Sequence, residues 1–264
     1  MDTFEYIKTL ARFRNEFGDD KPSWIRITTI TMMAKNLLGQ IDAQKIRKIF
    51  KAAPGETIEM LPKGSKKGFA WKIKPAKRGS NFYNCISIGY TDCYSTKNVK
   101  LFSNGSVHVT GCSNILDCKR IVAQLAVLLP FILKRTIDIT FDHFRIVMIN
   151  TNFSVNKTLN LYKLKRVFDQ DPKFEAIYEP SNYSGLIVKF EPKRLMKKVT
   201  VNIFSSGSII ITGAETLMEV AHAYRTTNQM ISKDCHISTT ESKQDFGVTM
   251  GAPFEEWLRV LNVV

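Results

Sequence analysis

The segment from Lys63 to Arg78 carries seven basic side chains and no acidic one. Such a segment can neutralise phosphate groups, and its two aromatic residues, Phe69 and Trp71, can stack on nucleic-acid bases. The basic side chains belong to Lys63, Lys66, Lys67, Lys72, Lys74, Lys77 and Arg78. We interpret this segment as a basic loop that contacts a polyanion. A solvated surface loop and a nuclear import signal are the alternative interpretations.

The charge of the whole chain points in the same direction. The 264 residues include 38 basic and 24 acidic ones, which gives a formal net charge of +14. This balance favours polyanionic partners, although it serves solubility as well. The hydrophobic fraction of 44% is ample for a packed core.

The histidines and cysteines lack the spacing of a catalytic or metal site. No pair of histidines follows an H-x-x-x-H pattern, and the five cysteines include no C-x-x-C pair. These residues are His108, His143, His222, His236, Cys85, Cys93, Cys112, Cys118 and Cys235. We therefore expect no enzyme, no cofactor and no metal, and we expect reduced thiols with a structural role. Neither a signal peptide nor a membrane-spanning run is evident, so we expect no membrane association.

One stretch of the chain occurs twice. Residues 101–115 and residues 203–217 share the order apolar alternation, Phe-Ser-x-Gly turn, second alternation and Thr-Gly. The matching pairs, each separated by 102 positions, are Phe102 with Phe204, Gly105 with Gly207, Thr110 with Thr212 and Gly111 with Gly213. This order predicts a β-hairpin followed by a helix, and its duplication predicts two similar halves.

The alternation also predicts which way the hairpin side chains point, because successive residues of a strand face opposite sides. One side of both hairpins is aliphatic and suits burial under a helix; it comprises Val99, Leu101, Val107, Val109, Val201, Ile203, Ile209 and Ile211. The other side is mixed and comprises Lys100, Phe102, His108, Thr110, Asn202, Phe204, Ile210 and Thr212. Phe102 and Phe204 are either core residues or ligand contacts on that mixed side.

Four segments follow from these patterns. They are an N-terminal helical extension (1–20), a first repeat (21–134) with a basic insertion at about 54–79, a second repeat (135–234) and a C-terminal extension (235–264). Within them we predict helices at 3–17, 41–53, 117–133 (broken near Pro130), 158–168 and 214–231, and a short helix around Trp257. We predict strands at 24–33, 81–90, 98–103, 106–110, 141–150, 185–190, 197–205 and 208–212.

The two hairpin motifs, in combination with Tyr178-Glu179-Pro180 and a later Gly185-Leu-Ile, resemble the core of the TATA-box-binding protein family. The resemblance covers about residues 24–232. It implies an α+β fold, a TBP-like saddle: a curved ten-stranded antiparallel sheet from two pseudo-symmetric repeats, with helices on its convex face. In that family the concave face enters the DNA minor groove, and aromatic pairs wedge between base steps. The matching pairs here are Phe82 with Phe102 and Tyr183 with Phe204.

The resemblance also assigns further DNA-binding positions. Thr110 and Thr212 match groove-facing threonines, and the neighbouring His108 and Ile210 stand where valine is expected. Ile30 and Met148 replace asparagines near the centre of the family's sheet, and Met32 and Asn150 fall at the adjacent valine positions. Lys100 and Asn202 replace leucines, and Lys189 matches a phosphate-binding arginine.

By this resemblance, which extends to virus-encoded members of the family, the chain is a DNA-binding general transcription initiation factor. It implies that the protein bends promoter DNA and recruits a transcription factor IIB-like protein and a multisubunit RNA polymerase. A monomer in the host cytoplasm, at viral factories, is expected; the virion and the nucleus are further compartments. The alternative is a TBP-like protein-interaction module with weak or no sequence-specific DNA binding, which steep salt dependence of DNA affinity would distinguish.

Overall fold

The computed structural model describes residues 3–36, 58–60, 69–73, 85–91, 96–112, 115–133, 141–231 and 235–239. The chain divides into two compact units. The first-repeat unit comprises residues 29–147, and the second-repeat unit comprises residues 1–28 and 148–264. The predicted domain boundaries stay a prediction, since these unit boundaries fall inside two strands.

The first-repeat unit contains an antiparallel sheet in the order β2-β3-β4-β5-β6-β1. Its strands are β1 (Arg26–Asn36), β2 (Ile58–Met60), β3 (Phe69–Ile73), β4 (Cys85–Thr91), β5 (Thr96–Phe102) and β6 (Ser106–Cys112). Helix α2 (Ile115–Leu133) follows β6 directly. Its buried residues Cys118, Ile121, Val122 and Leu125 join one hydrophobic cluster with aliphatic residues of β5 and β6. The core of this unit therefore lies between one helix and one face of the sheet.

The second-repeat unit repeats this design with strands in the order β7-β12-β11-β10-β9. These are β7 (Phe141–Ser154), β9 (Glu175–Ile177), β10 (Leu186–Phe190), β11 (Val199–Ile203) and β12 (Ser208–Ala214). Helix α3 (Leu161–Asp169) packs on β9 and β10, and helix α4 (Leu217–Met230) packs on β11 and β12. None of the described helices is long and apolar enough to cross a membrane.

The predicted α+β class with two matching antiparallel repeats is confirmed. The resemblance implies ten strands, five in each repeat. Among the described residues, the sheet of the second-repeat unit has five strands, and the sheet of the first-repeat unit has six, because it includes the short strand β2. A separate pair, β8 (Lys157–Leu159) with β13 (His236–Thr239), was not predicted. Residues 158 and 159, predicted as the start of a helix, belong to β8, and α3 begins at Leu161.

The N-terminal extension forms helix α1 (Thr3–Asn15), as predicted, and packs on α4. The ring centroids of Phe13 and His222 are 5.1 Å apart, and Arg225 Nε donates to Glu16 Oε2 at 2.7 Å. Tyr6 is buried, which raises its pKa above the ordinary value. The extension is thus an integral layer of the second-repeat unit.

Two glycine positions shape each hairpin. Gly105 and Gly207 have φ of 83° and 78°, and each donates its N–H to the carbonyl of the phenylalanine three residues earlier. Gly111 and Gly213 have φ of 94° and 88°, at the points where β6 and β12 shift register against β1 and β7. Positive φ is accessible to glycine at low cost, so the repeated Phe-Ser-x-Gly and Thr-Gly motifs encode a turn and a β-bulge.

Two predicted features of the first repeat differ from the structure. Residues 69–73, interpreted as part of the basic loop, form strand β3, which pairs with β4, so the loop interpretation is wrong there. The predicted break near Pro130 is also wrong, since α2 continues to Leu133. The predicted helices at 41–53 and around Trp257 lie outside the described residues.

We expect Gly207→Ala to destabilise the protein more than Gly18→Ala does. Both glycines have positive φ, but a Cβ at Gly207 would lie 2.2 Å from Lys157 O, whereas nothing lies within 4 Å of one at Gly18. The left-handed conformation alone costs roughly 1–2 kcal/mol. Urea unfolding should therefore give that loss for Gly18→Ala and a distinctly larger one for Gly207→Ala. Equal losses would contradict the close approach at Gly207.

Candidate nucleic-acid interface

The two sides of each hairpin differ in burial as the sequence predicts. All eight residues of the aliphatic side are 0% exposed. The eight residues of the mixed side are partly exposed. We call the first side of each sheet the helix-covered face and the second the open face. Phe102 and Phe204 are partly exposed and lie on the open face of their hairpins.

An aromatic pair stands on the open face of the second-repeat unit. The ring centroids of Tyr183 and Phe204 are 5.9 Å apart in an edge-to-face arrangement, and Tyr183 is 40% exposed. Gly185 makes room for this pair: a Cβ there would lie 2.8 Å from Tyr183 Cε1 and 3.1 Å from Phe204 Cε1. Sequence reasoning missed the role of Gly185, although the glycine belongs to the quoted motif.

The equivalent aromatic of the first-repeat unit has a histidine beside it. The ring centroids of Phe102 and His108 are 4.8 Å apart. Burial lowers the pKa of His108, and the nearby charges of Lys100 and Arg145 lower it further. Its imidazole is therefore mainly neutral at pH 7 and can donate one hydrogen bond and accept another. The predicted partner Phe82 lies outside the described residues.

The two open-face threonines have the same local contact. Thr110 Oγ1 donates to Asn98 O at 3.2 Å, and Thr212 Oγ1 donates to Thr200 O at 3.3 Å. Each hydroxyl thus spans a strand pair at the residue before a bulge glycine. The oxygens retain lone pairs, so both can still accept a hydrogen bond from a ligand.

Cross-strand register arranges the other predicted residues of the second unit into two rows. Ile187, Asn202, Ile210 and Asn152 are successive Cα partners across β10, β11, β12 and β7. The next row contains Glu175, Lys189, Thr200 and Thr212. Glu175 is ion-paired with Lys198 at 2.5 Å. Met148 and Asn150, on β7, are partly exposed like the rows. Asn152 and Ile187 were not singled out, although strand alternation from Asn150 and Lys189 points to them.

The predicted positions on β1 are wrong by one residue. Ile30 is 5% and Met32 is 2% exposed, and Met32 belongs to the hydrophobic cluster. The residues opposite Thr110 and His108 are Thr31 and Met33. On β7 the residue opposite Ile210, the counterpart of His108, is Asn152. Met33 and Asn152 are therefore equivalent and lie 119 residues apart, whereas the predicted positions Ile30 and Met148 lie 118 residues apart. A one-residue slip exchanges the faces of a strand.

The basic segment is described only in part. Lys72 lies in strand β3, while Lys63, Lys66, Lys67, Lys74, Lys77 and Arg78 lie outside the described residues. Its contact with a polyanion stays a prediction.

Cys112, Cys118 and Cys235 are buried free thiols. A hydrogen bond between Cys118 and Cys112, together with burial, raises the pKa of Cys118, so its thiol is held protonated and unreactive. Among the described residues, no group of three potential ligands has the geometry of a metal site.

We compared the chain with models of known protein families and with individual known proteins. Residues 143–233 match the family model described as "Transcription factor TFIID (or TATA-binding protein, TBP)". The second repeat is therefore similar to the TATA-binding protein family over these residues.

Individual relatives are similar to this chain over longer stretches. A "TATA-box-binding protein-like" protein of Acanthamoeba polyphaga mimivirus is 26% identical over 277 residues, which span 88% of this chain and 70% of the relative. A "TATA-box-binding protein" of Methanobrevibacter smithii is 33% identical over 119 residues, 44% of this chain and 58% of the relative. The solved structure of the Methanococcus jannaschii TBP has a TM-score of 0.48 and 17% identity, and the match covers 78% of this chain and 97% of that one.

We expect Phe204→Ala to cost much less stability than Phe190→Ala. Phe190 is 0% exposed and packs edge-to-face on Phe174, so its truncation should cost about 3–5 kcal/mol. Phe204 is partly exposed on the open face, and we expect its truncation to cost roughly 1 kcal/mol or less. Chemical denaturation of both variants measures the difference. Equal losses of unfolding free energy would show that Phe204 is a core residue like Phe190.

Proposed function

We propose that the protein is a transcription initiation factor that binds and bends duplex DNA through the open faces of its two repeats. The observation that carries this proposal is the duplicated aromatic: Phe102 and Phe204 stand at equivalent positions outside the helix-covered core. Aromatic side chains placed this way can enter a base step and unstack it. The unstacking costs a few kcal/mol per step, which contact with bent DNA offsets.

The composition of the open faces supports the minor groove rather than the major groove. Their central residues are threonine, isoleucine, asparagine and methionine, which suit the apolar walls and the acceptor-rich floor of a minor groove. Each face adds few charges, among them Lys100 and Lys189. Hydrogen bonds in the minor groove distinguish little more than A·T from G·C base pairs. We therefore propose that the shape and deformability of promoter DNA contribute to the choice of binding site.

We further propose that the protein serves a virus and recruits a transcription factor IIB-like protein and a multisubunit RNA polymerase. The relative from a mimivirus supports the viral role. We also propose a likeness of the basic insertion and the tail to the TBP-like protein of African swine fever virus. On α2, Leu116 and Val127 are 77% and 75% exposed. They lie eleven residues apart, about three helical turns, and so share one stripe that can contact a partner protein.

Removal of the open-face aromatics should reduce DNA bending without unfolding the protein. We expect Phe102→Ala, Tyr183→Ala and Phe204→Ala each to weaken binding by roughly 1–3 kcal/mol, the usual contribution of one aromatic stacked on a base. Energy transfer between dyes at the two ends of a duplex measures the bend. Tyr162→Ala is the matched control, because Tyr162 is a 63% exposed tyrosine on α3. A protein that binds no duplex at any salt concentration would instead support the protein-interaction module.

Neutralisation of the basic segment should flatten the salt dependence of DNA affinity. Replacement of Lys66, Lys67, Lys72 and Lys74 by glutamine removes cations that we expect to release counterions from DNA. The slope of log affinity against log salt should fall in magnitude by up to about 0.9 for each phosphate that the variant no longer neutralises. The control replaces four basic residues on and after α3, namely Lys163, Lys165, Arg166 and Lys173. An unchanged slope in the first variant would show that the segment does not contact phosphates.

A further inference from the structure

The open face of the first-repeat unit has a lysine–histidine pair next to its aromatic residue. Lys100 and His108 are direct cross-strand partners on β5 and β6. The His108 ring lies 4.8 Å from the ring of Phe102, and Arg145 is close enough to act electrostatically on His108. A ligand that contacts Phe102 therefore also meets the ammonium of Lys100 and the imidazole of His108, and both can donate a hydrogen bond.

The equivalent pair in the second-repeat unit is neutral. Asn202 and Ile210 are cross-strand partners, one row from Phe204, just as Lys100 and His108 are one row from Phe102. Their neighbours along the row, Ile187 and Asn152, are also uncharged. The charged groups of this face, including Lys189, belong to the next row. The two repeats thus present the same aromatic beside chemically different pairs.

The minor groove of DNA distinguishes between such pairs. A·T-rich tracts have a narrow minor groove with enhanced negative potential, which attracts lysine and histidine. A G·C pair adds the N2 amino donor of guanine, which an asparagine carbonyl can accept but a lysine ammonium cannot. The Lys100 ammonium and the His108 N–H donor therefore favour the acceptor-only floor of A·T-rich sequence, whereas the Asn202–Ile210 pair accommodates a G·C pair.

We propose that Lys100 and His108 are specificity-determining residues that set the orientation of the protein on DNA, with the first repeat on the A·T-richer half of an asymmetric site. This inference rests on the proposed DNA-binding function and adds a direction to it. Phe102 with Phe204 and Thr110 with Thr212 are identical in type between the repeats, so these four positions give no preference between the two orientations. The difference between the Lys100–His108 and Asn202–Ile210 pairs gives the two orientations different free energies of DNA binding.

Directed cleavage of an asymmetric duplex tests the orientation. The duplex has one half of A·T pairs only and one half with G·C pairs. An iron chelate is attached at Leu195→Cys, because Leu195 is 92% exposed in the second-repeat unit and lies outside the open-face rows. Cys85 and Cys93 are replaced by serine in all variants, whereas Cys112, Cys118 and Cys235 are buried and protected from the reagent. The half of the duplex that is cut reports where the second repeat lies.

Exchange of the pairs between the repeats supplies matched variants. We expect the reference protein to cut the G·C-containing half at least about fivefold more than the other, the lower end of discrimination by a specific base contact. Lys100→Asn with His108→Ile should bring that ratio close to one. The further addition of Asn202→Lys and Ile210→His should reverse it. Lys119→Asn, an equal charge change at an exposed position of α2, should leave the ratio unchanged.

Each other outcome contradicts a defined part of the inference. Equal cutting of both halves by the reference protein, or an unchanged ratio after the exchange, would overturn the orientation role and leave DNA binding intact. Absence of binding to any duplex by the reference protein would overturn the proposed function itself. If the double variant unfolds, the single variant Lys100→Gln decides, since its side chain keeps the length but not the charge.

Discussion

Each repeat depends on the burial of one aliphatic face of its hairpin under the helix that follows it. In the first repeat, Val99, Leu101, Val107 and Val109 lose all exposure, and α2 supplies the other side of that core. Full burial of such a side chain contributes about 1.5–3 kcal/mol. This constraint commits alternate positions of both strands to apolar residues. It also leaves the residues between them on the opposite face, where packing under the helix does not restrict their chemistry.

In each repeat, two features connect the end of the second hairpin strand to the helix that follows it. The bulge at Gly111 or Gly213 adds a residue, so that Cys112 and Ala214 return to the buried side before the helix begins. An acidic residue at equivalent positions then anchors the helix start. Glu219 completes a capping box with Thr216 and accepts from Lys197 N at 3.1 Å.

Asp117 anchors the other helix differently, through side chains. Its carboxylate pairs with Lys97 at 3.0 Å and with Arg120 at 2.5 Å. Burial raises the pKa of Asp117, but the hydrogen bonds from Arg120 and Lys97 outweigh it and the pKa is lowered.

Sequence reasoning succeeded where a short-range rule determines the structure. The faces of β5, β6, β11 and β12 follow from alternation within one hairpin, and the turns follow from glycine at fixed positions. It failed on β1, where the register depends on pairing with β6 across more than seventy residues and a bulge shifts that pairing by one. It also missed β3, which lies within a basic segment, and the pair β8–β13, whose strands are only three and four residues long. Such short strands have weak local patterns and are specified by their partners.

The comparison of the two repeats separates structural from ligand-binding roles on the open faces. Positions under the helices stay aliphatic in both copies because burial requires it. On the open faces, Lys100 and Asn202 differ, as do His108 and Ile210, so the fold tolerates change there. The threonines are retained, and their hydrogen bonds to a neighbouring strand give a structural reason. Phe102 and Phe204 are retained on a face where neither full burial nor a backbone hydrogen bond requires an aromatic ring. The proposed DNA ligand gives a reason for their retention, because a base step that is unstacked offers π-faces to an aromatic ring.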